Sequence, residues 1–232
     1  MIGYFDYTVW LTYLSAISAS IGIVASLSGN GHPYIGTLFL LICGLCDAFD
    51  GRVARRKKNR TDSEKNYGIQ IDSLSDLVAF GILPACVGFA FYRSSQFALT
   101  EAGRDVGLTG RIPFPILTVI MAVYALAALI RLAYYNVTEQ QRQQTETGCR
   151  ETYTGLPVTS AAIVFPAFLA ISQLAGTSYP LIYFGLMLVM AVAFLARFRL
   201  KKPGLSTILI FVAIGAVEFA ILIIARILFH HG

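Results

Sequence analysis

Seven apolar runs succeed one another along this chain, at 8–27, 34–53, 69–92, 113–134, 158–174, 179–195 and 205–229, and most are long enough to cross a lipid bilayer. Hydrocarbon offers no partner for a backbone N–H or C=O, so such runs must be helices that satisfy their own hydrogen bonds. The expected fold is an all-α integral membrane protein, a polytopic helical bundle. With 56% hydrophobic and only 13% charged residues over 232 positions, and a mean hydropathy of +0.66, nothing is left over for a soluble module. One membrane-embedded domain over 1–232 is expected, with Pro84 kinking the third run.

The charge supports the same class. A net charge of +5 does not point to nucleic acid here, because the basic residues crowd into short connections between apolar runs. Arg55, Arg56, Lys57, Lys58, Arg60 and Lys65 fill 55–67, and Arg197, Arg199, Lys201 and Lys202 close the sixth run. With seven spans these two connections, the N-terminus and the polar stretch 136–153 share one side, and the positive-inside rule assigns that side to the cytoplasm. Tyr4, Phe5, Tyr7 and Trp10 suit an interfacial anchor, and the N-terminus lacks the basic region of a cleaved signal peptide. Cys43 and Cys46 form a C-x-x-C inside an apolar run, with no second pair or nearby histidine, so core packing is expected rather than zinc or redox chemistry. Glu218 in the last run reads as a structural acid.

Four aspartates break the apolar pattern. Asp47 and Asp50 stand near the end of the second run, Asp72 and Asp76 near the start of the third, each pair on one helical face. A carboxylate on a membrane helix is costly unless paired, wetted or bound to metal. Four converging from consecutive helices predict hard oxygen ligands for a divalent cation. Gly51 and Ala54 continue the first stripe as a small-residue floor, followed by Arg55, whose guanidinium suits phosphate; Gly68 opens the second stripe. Such a site fits a diphosphate substrate, with one carboxylate free to take a proton from an incoming hydroxyl. The competing readings are acids that hold basic residues for helix packing, or an ion path through a transporter. The latter would call for inverted repeats, and none is visible.

The pattern Asp47-x2-Asp50-Gly51-x2-Ala54-Arg55, a spacer, then Gly68-x3-Asp72-x3-Asp76 resembles the signature of the CDP-alcohol phosphatidyltransferase family, with every fixed position filled. The spacer, Arg56 to Tyr67, is twelve residues and longer than the family's usual one. The resemblance implies a six-helix core, with the seventh span an addition, usually a homodimer carrying Mg²⁺ or Mn²⁺, two divalent ions, at the cytoplasmic membrane surface. It implies Asp47, Asp50, Asp72 and Asp76 as metal ligands and Asp76 as general base. Asp47, Gly51, Ala54, Arg55 and Gly68 would contact the CDP group.

Two further segments, Arg131-Leu132-x3-Asn136 and Tyr153-x-Gly155-Leu156-Pro157, resemble the phosphatidylserine synthase branch of that family. The implied reaction moves a phosphatidyl group from CDP-diacylglycerol to L-serine, giving phosphatidylserine and CMP. Arg131 would bind the serine carboxylate through its planar fork, with Tyr135, Asn136 and Tyr153 as polar contacts. The alternatives are another acceptor (glycerol 3-phosphate or inositol phosphate) or an archaeal ether-lipid donor. A phosphorylated acceptor would need a basic pocket, whereas 136–153 sets Arg142 and Arg150 against Glu139, Glu146 and Glu151.

Overall fold

The structure, a computed structural model, describes residues 3–29, 31–57, 59–101, 113–145, 152–176, 178–201 and 204–229. A 3₁₀ turn at Tyr7–Val9 leads into α1 (Trp10–Leu27), which is followed by α2 (Pro33–Arg56), opened by a proline at its first position where the missing N–H costs nothing. These two helices pack along each other. The contact face of α1 is Thr12, Ser15, Ala19, Gly22 and Ser26, small residues spaced alternately by three and four. The fit is tight: a Cβ on Gly36 would fall 1.8 Å from Ser26 Oγ, and one on Gly22 2.8 Å from Phe39 Cβ. Cys43 is buried in the core as a free thiol, with its S–H toward the Ser15 carbonyl at 3.4 Å, and Cys46 is likewise free and buried. Cys149 lies outside the described residues.

α3 (Asp62–Asp76) begins seven residues before the apolar run it leads into. Its first two turns are polar, so hydropathy could not find them, but Thr61 and Glu64 form a capping box that starts the helix. The third run does not simply kink at its proline. A π-turn, Leu77–Ile82, joins α3 to α4 (Leu83–Glu101) without a break. Pro84 has no N–H to donate to the Phe80 carbonyl four residues back. That carbonyl accepts from the Tyr124 hydroxyl at 2.7 Å instead, and the Pro84 carbonyl accepts from Tyr183 at 2.9 Å. One extra residue in the turn rotates the downstream helix by about 100°, so the residues up to Asp76 and those after Ile82 face different neighbours.

α5 (Phe114–Thr145) runs well past its apolar stretch, supported in its last turns by the Arg142–Glu139 ion pair at 2.7 Å. A 3₁₀ turn at Val158–Ser160 leads into α6 (Ala161–Leu174), then come α7 (Pro180–Leu195) and α8 (Leu205–Phe229). Five helical segments are long and apolar enough to cross a membrane, and Val158–Leu174 and Pro180–Leu195 are shorter apolar ones. Together they make the seven that the hydropathy pattern predicts. Two three-residue strands, β1 (Thr152–Thr154) and β2 (Arg199–Lys201), pair antiparallel with Tyr153 opposite Leu200, a feature no periodicity this short could announce.

The core lies where α4, α5, α6 and α7 meet, around the fully buried rings of Tyr124, Phe165 and Tyr183. Among the described residues α8 packs chiefly on α2 and α6, through Leu222 against Leu41 and Ala170, and turns most of its apolar side chains outward. Glu218 is buried on α8, its Oε2 without a hydrogen-bond partner.

Tyr124→Phe keeps the ring packing and orphans the Phe80 carbonyl. The expected loss is about 1–3 kcal/mol, read as a lowered thermal midpoint in detergent; an unchanged midpoint would show that the π-turn does not need this bond.

Candidate active site

The last three turns of α2 and the body of α3 carry the eight motif residues, and the two helices approach through their aspartates. Asp50 and Asp76 are buried, Asp47 and Asp72 half-buried. Carboxylate oxygens of Asp47, Asp50 and Asp72 all lie within 4.8 Å of one another. Asp76 is not in that set; it sits one turn deeper on α3, within the field of the other three. The Gly51 N–H donates to the Asp50 carboxylate. Among the described residues no lysine or arginine forms an ion pair with any of the four acids. The alternative of acids that hold basic residues therefore fails for these. Three hard-oxygen donors converging without a protein cation fit a divalent metal.

Small residues line the approach. Gly51 and Ala54 are half-buried on α2, and Arg55 is exposed one turn on, its Nη1 3.3 Å from where a Gly51 Cβ would stand. Gly68 is covered by another guanidinium, that of Arg60, which the sequence pattern presents only as one of the basic residues of the connection.

α3 is anchored to two neighbouring helices just after Asp72. Ser73 exchanges hydrogen bonds with Asn136 of α5 at 2.8 and 3.0 Å, and Ser75 donates to the Thr12 carbonyl of α1 at 3.2 Å. Asn136 thus enters the site as a clamp on the residue next to Asp72. The signal for it, a Ser and an Asn that meet 63 positions apart, is invisible without the fold. Arg131 is buried on α5, its Nε donating to the Leu156 carbonyl at 3.2 Å and its guanidinium 5.8 Å from the Tyr135 ring. Gly155, at φ +80°, brings the chain close enough that a Cβ there would lie 3.5 Å from Arg131 Nε. The two secondary motifs therefore meet in space. Tyr153 contributes its backbone to β1; its side chain lies outside the described residues.

The N-terminal segment straps the α2–α3 connection. Lys57 bridges Asp6 and Glu64, and the hydrogen bonds it donates to these carboxylates raise its pKa above the ordinary lysine value. Tyr13 donates to the Tyr4 carbonyl at 2.7 Å and shares a hydrogen bond with the Tyr67 hydroxyl at 2.8 Å. The N-terminus, the 57–67 connection and the 136 end of α5 thus lie at one end of the bundle, as the charge pattern predicts. The β1–β2 pairing likewise joins the 152–154 and 199–201 segments.

A family model for CDP-alcohol phosphatidyltransferases matches residues 8–187. The chain belongs to that family. It is 33% identical over 162 residues to a CDP-diacylglycerol–serine O-phosphatidyltransferase of Saccharomyces cerevisiae, covering 67% of this chain and 50% of that protein. A Helicobacter pylori protein of the same name is 27% identical over 151 residues, covering 65% and 52% respectively. An archaetidylserine synthase of Methanothermobacter thermautotrophicus is 28% identical over 158 residues, 68% of this chain and 55% of that one. The chain spans about half the length of these curated relatives. No solved structure gives a significant match.

A divalent cation would offset the repulsion among these acids, so Mg²⁺ or Mn²⁺ is expected to raise the thermal midpoint. The gain should approach about 2.7 kcal/mol at a hundredfold excess over Kd. Asp50→Asn should abolish most of that increment, and an equal metal response in wild type and variant would remove Asp50 from the ligand set.

Proposed function

We propose that the protein transfers the phosphatidyl group of CDP-diacylglycerol to the hydroxyl of L-serine, releasing CMP. The observation that carries the reading is the cluster of Asp47, Asp50 and Asp72, set in a complete family motif with no cation of its own among the described residues. The names of the relatives support serine as acceptor.

Asp47, Asp50 and Asp72 would hold Mg²⁺ or Mn²⁺, two ions with Asp76 as a further ligand, and the metal would supply positive charge to the diphosphate. Gly51 and Ala54 let the CDP group approach the backbone of α2, Gly68 of α3 contributes to the CDP subsite beneath the Arg60 guanidinium, and Arg55 binds phosphate. Asp76 takes the proton of the serine hydroxyl. The freed oxygen attacks the phosphorus that carries the lipid, and the bond to the CMP oxygen breaks. Arg131 binds the serine carboxylate, with Tyr135, Asn136 and Tyr153 at the edge of the pocket. Asn136 has a second, indirect role, since its bond to Ser73 ties the acceptor helix to the metal helix. The lipid tails lie against the outward apolar faces of the helices. The site faces the cytoplasm, the working unit is a homodimer, and α8 is peripheral to a core formed by the other spans.

A second reading replaces the acyl donor with an ether-linked one, which the archaetidylserine synthase relative favours. A phosphorylated acceptor is disfavoured, because the fork of Arg142 is occupied by Glu139.

CMP release in detergent tests both the reaction and the acceptor. Serine should support it, whereas glycerol 3-phosphate, inositol phosphate and buffer alone should not. Release with another alcohol would move the acceptor pocket, and folded protein that releases no CMP with any of them would end the transferase reading. Asp76→Asn should lower kcat at least a hundredfold without shifting the thermal midpoint much, as expected for loss of a general base; a fully active variant would exclude that role. Arg131→Lys should raise KM for serine more than for the lipid, because Lys cannot reproduce the fork. Equal increases would make Arg131 only the support of the Leu156 carbonyl.

A further inference from the structure

The two helices of the site carry the same sequence of layers. Along α2, from the membrane outward, Asp47 and Asp50 are followed by Gly51, and the Arg55 guanidinium lies over Gly51. Along α3, Asp76 and Asp72 are followed by Gly68, and the Arg60 guanidinium lies over Gly68, its Nη2 2.6 Å from where a Cβ would stand. No side chain but hydrogen leaves room for that approach, so Gly68 is a notch filled by a cation. Four residues of helix separate Gly68 from Asp72, a rise of about 6 Å, which puts Arg60 one turn above the carboxylate cluster.

Arg60 is held there by little. Its Nη2 donates to the Glu64 carbonyl at 3.0 Å, an oxygen within the first turns of α3. Its Nε is buried and has no acceptor. Among the described residues it pairs with no carboxylate; of the two acids nearby in sequence, Asp62 is paired with Lys65 and Glu64 is taken by Lys57 and by the Thr61 N–H. A buried guanidinium N–H without an acceptor, on a cation without a counter-ion, beside a site built for a charged substrate, calls for an anion. The spacer that supplies Arg60 is also where the chain departs from the family's usual length.

We propose that Arg60 is a second phosphate-binding residue, which brackets the diphosphate of a nucleoside diphosphate ligand together with Arg55. Its role presupposes the transferase reading only in taking the ligand to be a cytidine diphosphate group; it does not depend on which alcohol is the acceptor. Nη2 fills the notch at Gly68, and a phosphate oxygen set against the Nε edge of the guanidinium satisfies the orphaned N–H and the unpaired charge together.

The test is direct binding of CDP and of cytidine to the intact chain in detergent with Mn²⁺, alongside KM and kcat for CMP release, in wild type, Arg60→Gln and Arg60→Lys. Arg60→Gln should weaken CDP about tenfold and leave cytidine binding unchanged, because a phosphate contact is lost and no base contact is touched. KM for CDP-diacylglycerol should rise by a similar factor with kcat within twofold. Arg60→Lys should recover part of the loss, since it restores charge without the fork. Should Arg60→Gln not fold, Arg60→Lys carries the test: CDP affinity equal to wild type would overturn the proposal. Wild-type CDP affinity in Arg60→Gln, or equal losses for CDP and cytidine, would also overturn it and leave Arg60 as packing over Gly68. Wild-type protein that binds no CDP and releases no CMP would instead bring down the transferase reading itself.

Discussion

Three carboxylates within 4.8 Å of one another, on helices that cross a membrane, set the terms for everything around them. At an effective dielectric of about 20, each ionised pair at that separation costs roughly 3–4 kcal/mol, before any penalty for leaving water. Nothing in the described protein neutralises them. The fold must therefore hold α2 and α3 together against this repulsion, which a bound cation would relieve. Ser73 to Asn136 on one side of α3, and Ser75 to Thr12 on the other, act in that direction. So does the packing of α1 on α2 through glycine, alanine and hydroxyl side chains, since close backbone approach gives dispersion contact that bulky residues would prevent.

The break in helical register after Asp76 belongs to the same design. Asp72 and Asp76 must face the acidic end of α2, whereas the segment after Ile82 must pack its aromatic and small residues against α1, the start of α2 and α7. A regular α-helix cannot serve both faces over this length. The π-turn at Leu77–Ile82 changes the register, and Pro84 ensures that the Phe80 carbonyl is free for Tyr124. In this way a hydroxyl in the core helps to fix the orientation of acids one to two turns away.

At the outer end of the site, charge is handled differently on the two sides of the connection. Lys57 is fully engaged, bound to Asp6 of the N-terminal segment and to Glu64 at the start of α3. Arg55 and Arg60 lie over glycines with no acid partner among the described residues. The connection thus divides its basic residues between holding the structure and facing the site, a distinction that composition alone reads as one basic run.

The sequence by itself determined the membrane class, the seven apolar segments and the family. Each rests on local or periodic information: run length against bilayer thickness, and acids, glycines and arginine at fixed helical spacing. It also anticipated that the four aspartates would converge, as Asp47, Asp50 and Asp72 do with Asp76 one turn deeper, because each stripe fixes a face and consecutive helices have few ways to bury two acidic faces. Helix ends were legible where hydropathy changed and illegible where polar capping decided, as at Thr61 and Glu64. What only the tertiary structure decided are the contacts between distant positions: Ser73 with Asn136, Arg131 with Leu156, Tyr124 with Phe80, the short β1–β2 pair, and Arg60 over Gly68. Such pairings depend on how helices cross and rotate. That in turn depends on packing summed over the whole bundle, and no local pattern of residues encodes it.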